Sequence, residues 1–402
     1  MNISKIFYCL ISIGLISVGI SLSGCTFTTN KKENDCKYYV AAYVWPSCHN
    51  DSIAQKYLWS EGIGEWEIIQ KGTSRFEGHY QPKEPLWGYL MDDNPDVWEK
   101  KIKLASEHHV NTFIFDWYWF EGKPFLESSV NAFLQSPNSK EMNFYLMWAN
   151  HDVPGSMWNP YRYTNDSILW NGTVDWDNFK IIVTRVIRQY FKQPNYFIID
   201  GMPVFSIYHT GNLIESFGNM AETRKALDYF RQQTIDAGFP GLHIQLVGSG
   251  TPDELGYWGG NFEVNEVIKA LGINSITMYN MSGSTSRKED YIRYGEDGIK
   301  VRDKWASTIN IPFFPCVSVG WDDTPRYPAK GREDVIYLNN TPQYFAQFLN
   351  KAKEYTDKRS DQTSLIVINA WNEWVEGSYL EPDKYNGYGF LEAVKEVMRE
   401  TN

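Results

Sequence analysis

Directly after the apolar run Leu365-Ile366-Val367-Ile368, the segment Ala370-Trp371-Asn372-Glu373-Trp374-Val375-Glu376-Gly377 sets two carboxylates three residues apart among tryptophans. Breaking a glycosidic bond passes through an oxocarbenium-like transition state. One carboxyl must protonate the leaving oxygen while a second base or nucleophile works on the sugar. Glu373 and Glu376 can divide that labour. Trp371 and Trp374 offer flat apolar faces for sugar C–H surfaces, and a dry setting raises the pKa of one carboxyl toward acid duty. A surface loop with two solvated glutamates is the plain alternative, but two tryptophans and an asparagine beside the acids make an unusual loop composition.

Such a pair needs elements to position it, and the chain supplies an alternation. Short β-branched or aromatic runs predict strands over Tyr39–Trp45, Asn111–Trp117, Asn143–Ala149, Pro203–Tyr208, His243–Gly248, Ser275–Tyr279, Phe313–Val319 and Leu365–Ala370. Helix-compatible stretches lie near Pro95–His109, Phe125–Gln135, Trp176–Phe191, Ala221–Ala237, Phe262–Leu271, Lys288–Ala306, Pro342–Glu354 and Gly389–Arg399. Strand-then-helix repeated in this way spells a single (β/α)8 TIM barrel with long aromatic loops at its C-terminal face. An open doubly wound sheet is the runner-up, but no Gly-rich phosphate loop follows any strand.

Barrel chemistry collects at the C-terminal ends of the strands. Polar and aromatic residues stand at those ends: Tyr43 and Trp45, then Asp116 and Trp117, Trp148 and Asn150, Tyr208 and His209, Tyr279, Trp321 and Asp322. With Trp371, Asn372 and Trp374 they are the expected substrate-binding set around Glu373 and Glu376. Taken singly, a strand Tyr or Trp is more often core than ligand, and His209 alone reads as a satisfied histidine; it is the recurrence at one mouth that points to a site. The stretch from Leu58 to Tyr89 carries Trp59, Trp66, His79, Tyr80 and Trp87 among glycines and charges. Long aromatic loops of this kind are usually functional, so it is expected to fold over the mouth.

Composition narrows the partners. The chain has 402 residues, 16 Trp and 26 Tyr, an aromatic excess that suits a ring-lined carbohydrate surface. A net charge of -11 with no basic patch sets nucleic acid aside. There is no His-Glu-x-x-His, helix-loop-helix calcium loop, Gly-x-Ser-x-Gly elbow or P-loop, so no metal or other cofactor is expected. Asp92-Asp93-Asn94-Pro95-Asp96 reads as a helix start capped by Asn94 rather than as a cation site.

The N-terminus reads as an export signal. Lys5 precedes the apolar stretch Ile6 to Ile20, and Leu22-Ser23-Gly24-Cys25 resembles a bacterial lipobox. On that reading residues 1–24 are a lipoprotein signal peptide, Cys25 carries lipid, and 25–37 is a polar tether. Residues 38–402 are then the catalytic domain, anchored to a bilayer in the bacterial cell envelope. An ordinary secretory signal or a single anchor helix is the alternative. Cys36, Cys48 and Cys316 show no metal spacing and are taken as structural or free.

Gly64-Glu65-Trp66, Gly78-His79-Tyr80-Gln81-Pro82, Trp117-Tyr118-Trp119-Phe120, Trp148-Ala149-Asn150, Trp321-Asp322-Asp323-Thr324-Pro325-Arg326 and the run Trp371 to Pro382 occur in order along nearly the whole mature domain. Together they resemble the WbsX-like proteins, a group related to glycoside hydrolase family 99. That family's (β/α)8 endo-α-mannosidases carry an Asn-Glu-Trp-x-Glu-Gly motif similar to Asn372–Gly377. The resemblance implies that Glu373 acts as base on the sugar 2-hydroxyl, which attacks the anomeric carbon to give a 1,2-anhydro sugar. It implies that Glu376 protonates the leaving oxygen and later activates water. It also places Tyr43, Tyr208, Tyr279, Trp321 and Arg326 at substrate-contacting positions. The segments around Trp59–Trp87 and Trp148–Trp158 follow the WbsX pattern rather than that of family 99, so mannan specificity does not carry over. WbsX proteins are often described as glycosyltransferases of surface polysaccharides. The expectation is therefore a glycoside hydrolase, with a transferase or transglycosylase and a non-catalytic glycan-binding lipoprotein as alternatives.

Overall fold

In the computed structural model, which describes residues 37–254, 262–281, 288–327 and 335–399, eight parallel strands form the central sheet. They are β1 (Tyr39–Val44), β2 (Thr112–Phe120), β3 (Asn143–Trp148), β4 (Met202–Ile207), β5 (His243–Gly248), β6 (Ser275–Met278), β7 (Cys316–Ser318) and β8 (Leu365–Asn369). Their order is β6-β5-β4-β3-β2-β1-β8-β7. A parallel bridge from Ile276 to Phe313 closes the ring between β6 and the approach to β7. The fold is the (β/α)8 barrel expected from the alternation. The signal, Cys25 and Cys36 lie outside the described residues.

Helices follow the strands: α1 (Pro95–Glu107), α2 (Ser128–Gln135), α3 (Trp176–Val186), α4 (Met220–Asp236), α5 (Val264–Leu271), α6 (Tyr291–Thr308), α7 (Pro342–Asp357) and α8 (Gly389–Met398). Their starts follow local chemistry. The Asn94 side chain accepts from Asp96 N at 2.9 Å with Pro95 in the first turn, Asp175 accepts from Asn178 N, and Asn219 from Glu222 N. The α6 start falls at Tyr291 rather than Lys288 because Asp290 caps Ile292 N. β7 is shorter than the expected Phe313–Val319, since Pro312 and Pro315 cannot donate to a ladder.

Side-chain parity divides the aromatics. Phe113 and Phe115 on β2 point outward against Trp98 of α1 and Phe133 of α2. Trp148 packs on Phe179 of α3, and Trp371 on Phe113. Tyr43 and Tyr145 fill the lumen, donating to Met278 O at 3.2 Å and Gln245 Oε1 at 3.2 Å. Much of the aromatic content is therefore core between barrel and helices.

Candidate active site

Glu373 and Glu376 follow β8, separated by a short helical turn over Trp374–Glu376. Both are buried, 2% and 7% exposed, where an ordinary loop glutamate would be solvated. Gly377 ends the turn at φ 62°; a Cβ there would stand 2.9 Å from Asp322 Cβ, so glycine is required for both angle and space.

One guanidinium serves the pair. Arg326 Nη1 donates to Glu376 Oε1, and Arg326 Nη2 lies 3.5 Å from Glu373 Oε1 and 3.8 Å from Glu65 Oε1. Tyr279 OH donates to Glu373 Oε2 at 3.1 Å and lies 3.4 Å from Asp116 Oδ2. Glu65 is fixed from its other side by Trp45 Nε1 and by Ser47 Oγ at 2.9 Å. Three buried carboxyls thus surround one arginine, and Asp116 joins them through Tyr279. Burial raises Glu373 well above the usual carboxylate range, with the charge of Glu376 adding to it and Arg326 opposing. Burial also raises Glu376 and Glu65, in each case against Arg326, and raises Asp116 against its Tyr279 contact. Arg326 lies closest to Glu376 and opposes the rise there, and the two glutamates titrate as a pair.

The cleft over these groups is lined by Trp45, Asp116, Tyr118, Met147, Ala149, His151, Met157, Trp158, Tyr208, Tyr279, Arg326, Glu373 and Glu376. It therefore unites Trp45, Asp116, Tyr208, Tyr279, Arg326 and both glutamates from the expected set. Trp321 and Asp322 line a separate cleft behind Gly377. The rest stand elsewhere. Tyr43 is fully buried beneath Tyr279, with ring centroids 4.8 Å apart. Trp117, Trp148 and Trp371 face outward, and Trp117 donates to Glu127 at 3.0 Å. Trp374 lies against Tyr379 at 3.7 Å and donates to Glu381 at 2.8 Å. The two indoles of the motif thus serve packing, not a sugar platform.

Asn372, Asn150 and His209 work as braces. Asn372 accepts from Trp45 N and donates to Trp45 O, both at 2.9 Å, tying the end of β8 to that of β1. Asn150 exchanges hydrogen bonds with the His209 backbone at 2.9 and 2.8 Å, and His209 Nδ1 accepts from Asn212 N. Glu65, Tyr118, His151 and Trp158 carry no site role in the sequence reading. Parity would have found two of them: Asp116 faces the lumen, so Tyr118 must, and Ala149 in the cleft implies His151. Glu65 arrives from the β1–α1 loop, placed by Gly64 at φ 62°, where a Cβ would come within 2.0 Å of Ser47 O.

Among the described residues no group of three or more His, Cys, Asp or Glu is arranged to hold a metal ion. What the cleft offers is proton-sharing carboxyls, one guanidinium and ring walls, which suits acid–base work on a hydroxylated substrate.

The chain is a (β/α)8 barrel with a buried carboxylate cluster at its mouth, and solved proteins share the barrel. The barrel resembles a family 99 endo-α-mannosidase from Bacteroides thetaiotaomicron with a TM-score of 0.55 at 13% identity, over 90% of this chain and 95% of that one. It also resembles a "glycoside hydrolase-like protein" with a TM-score of 0.57 at 14% identity, over 91% and 95%. At these identities the likeness is one of fold. The model of the family described as Glycosyltransferase WbsX matches residues 40–394, and the chain belongs to that family. Uncharacterized protein WxcX of Xanthomonas campestris pv. campestris is 27% identical over 346 residues, 85% of this chain and 47% of the relative. The chain spans about half the length of the curated relatives it matches.

Proposed function

We propose that this protein is a glycoside hydrolase that cleaves with retention through the substrate's own 2-hydroxyl. The carrying observation is the pair of buried glutamates sharing Arg326 at the barrel mouth, with Tyr279 on Glu373. Glu373 removes the 2-hydroxyl proton, the freed oxygen attacks the anomeric carbon, and the bond to the leaving oxygen breaks as Glu376 protonates it. Water, deprotonated by Glu376, then opens the anhydro ring while Glu373 returns its proton. These roles require Glu373 ionised and Glu376 protonated when the sugar is bound, and burial raises Glu376 toward acid duty.

The family description favours a second reading, transfer from a nucleotide sugar. The cleft's charge speaks against it, because a diphosphate would meet three carboxyls, Asp116, Glu373 and Glu376, with one guanidinium beside them. Substrates are to be found by incubating the protein with plant, fungal and host glycans and assaying released sugar. Glu373→Gln and Glu376→Gln should each lower turnover by about 10²–10⁴-fold while glycan binding persists. An active double variant sinks the assignment, as does rapid cleavage of a 2-deoxy substrate. Tight nucleotide-sugar binding by calorimetry would favour the transferase. We further propose that the protein is a lipoprotein held at the envelope through Cys25, on the strength of Leu22-Ser23-Gly24-Cys25.

A further inference from the structure

The larger cleft behind the glutamates has no role in the chemistry just described. It encloses about 380 Å³, against about 60 Å³ over Glu373 and Glu376. The first figure lies within the range of ligand sites and the second is too tight for a sugar chain. Glu376 lines the small cleft and its neighbour Gly377 lines the large one, so the two lie back to back across a single peptide.

Its walls combine ring faces with polar groups. Tyr385 is 74% exposed yet held in place, its ring against Tyr80 at 5.0 Å and its backbone N–H on Asp383 Oδ1 at 3.0 Å. Trp321, half-buried, lines the same cleft with Asn340 and Lys83. The frame is stiff: Asp322 N donates to Glu376 O at 2.6 Å. Asp322 Oδ2 receives His79 Nε2 at 3.0 Å and Gln81 Nε2 at 2.7 Å, with Lys83 Nζ at 3.3 Å. Because Arg75 N donates to His79 Nδ1, the histidine proton sits on Nε2 and points at Asp322. Against the push of burial, Lys83 and His79 hold Asp322 well below the usual carboxylate range, so Lys83 is already neutralised. A cleft with rings, amides and no uncompensated positive charge fits uncharged sugar units better than phosphate or an acidic polymer.

We infer that this cleft, through Tyr385, Trp321, Asn340 and Lys83, binds a neutral oligosaccharide at a site of its own, separate from the cleft over Glu373 and Glu376. Binding there stands apart from the glycosidase reading. A cleft of this size takes an oligomer, and monosaccharide glycosides are bound poorly.

An array of defined neutral and uronic-acid oligosaccharides, from monosaccharide to octasaccharide, tests this with four forms of the full chain. Wild type and Glu373→Gln/Glu376→Gln should bind the same neutral oligomers. Tyr385→Ala should bind them about tenfold more weakly, as loss of a ring contact at a binding site does. Tyr385→Phe, which keeps the ring, should bind as wild type. Binding confined to monosaccharides, preference for uronic-acid chains, no binding, or unchanged binding by Tyr385→Ala would each overturn the inference. Failure of the catalytic reading shows separately, as turnover by the double glutamate variant with Tyr385-dependent binding intact.

Discussion

At the scale of single residues, the site is a matter of proton count. Glu65, Asp116, Glu373 and Glu376 are all raised by burial, so the native state holds more protons there than the unfolded chain. Stability from this cluster is complete below the ordinary carboxylate pKa of about 4 and falls as pH rises through the raised values. Arg326 limits that loss. Arg326→Met should therefore destabilise by about 3–5 kcal/mol at neutral pH, the cost of stranding a buried charge, and by much less near pH 4. Urea unfolding at several pH values measures this, and a pH-independent loss would mean that Arg326 matters by packing alone. Glu373→Gln cannot ionise, so its melting temperature relative to wild type should rise with pH even as activity disappears. The two glutamates were legible from composition and spacing. Arg326 entered only through resemblance, since 47 residues of chain separate it from Glu373.

Among the elements, α1 reaches the site through a buried ion network. Lys101 Nζ lies 2.5 Å from Asp92 Oδ1 and 2.6 Å from Glu381 Oε1. Asp92 Oδ2 receives Asn372 Nδ2 at 3.2 Å, and Glu381 Oε2 receives Trp374 Nε1. Both neighbours of Glu373 are thereby anchored to one ammonium. Burial still pushes Asp92 up to about 6 with Lys101 beside it. Lys101→Met should destabilise by about 3–5 kcal/mol, with kcat falling more than KM rises because the carboxyls lose position rather than contact with substrate. Equal kcat with raised KM would contradict that role. The strands themselves were readable from β-branched and aromatic runs, and most boundaries fall within two residues of expectation. Which strand-end residue faced the lumen was not taken from the pattern, so Trp117 was included beside the inward Asp116, and Trp148 stood in for its inward neighbours Met147 and Ala149.

For the molecule as a whole, the mouth is assembled from distant pieces of chain. The β1–α1 loop supplies Glu65 to Arg326 beneath one cleft and His79, Tyr80 and Lys83 to the other, and Trp66 of the same loop packs on Trp374 at 5.7 Å. Such a loop could be picked out by its rings and length, but not its points of contact. The proposed anchoring is tested on the full chain: if Cys25 carries lipid, Cys25→Ser should move the protein from the membrane fraction to the soluble fraction and abolish its labelling by a palmitate analogue. Retained labelling would place the lipid elsewhere or reject the lipobox.

The sequence by itself determined the barrel, because strand and helix periodicities and caps are local, and it determined the glutamate pair, because both acids lie within one turn. Only the tertiary structure decided that Trp371 and Trp374 are core, that Arg326 and Glu65 complete the acid cluster, and that a second cleft backs onto the first. Those outcomes depend on which faces meet when eight strands close, and closure brings together residues hundreds of positions apart.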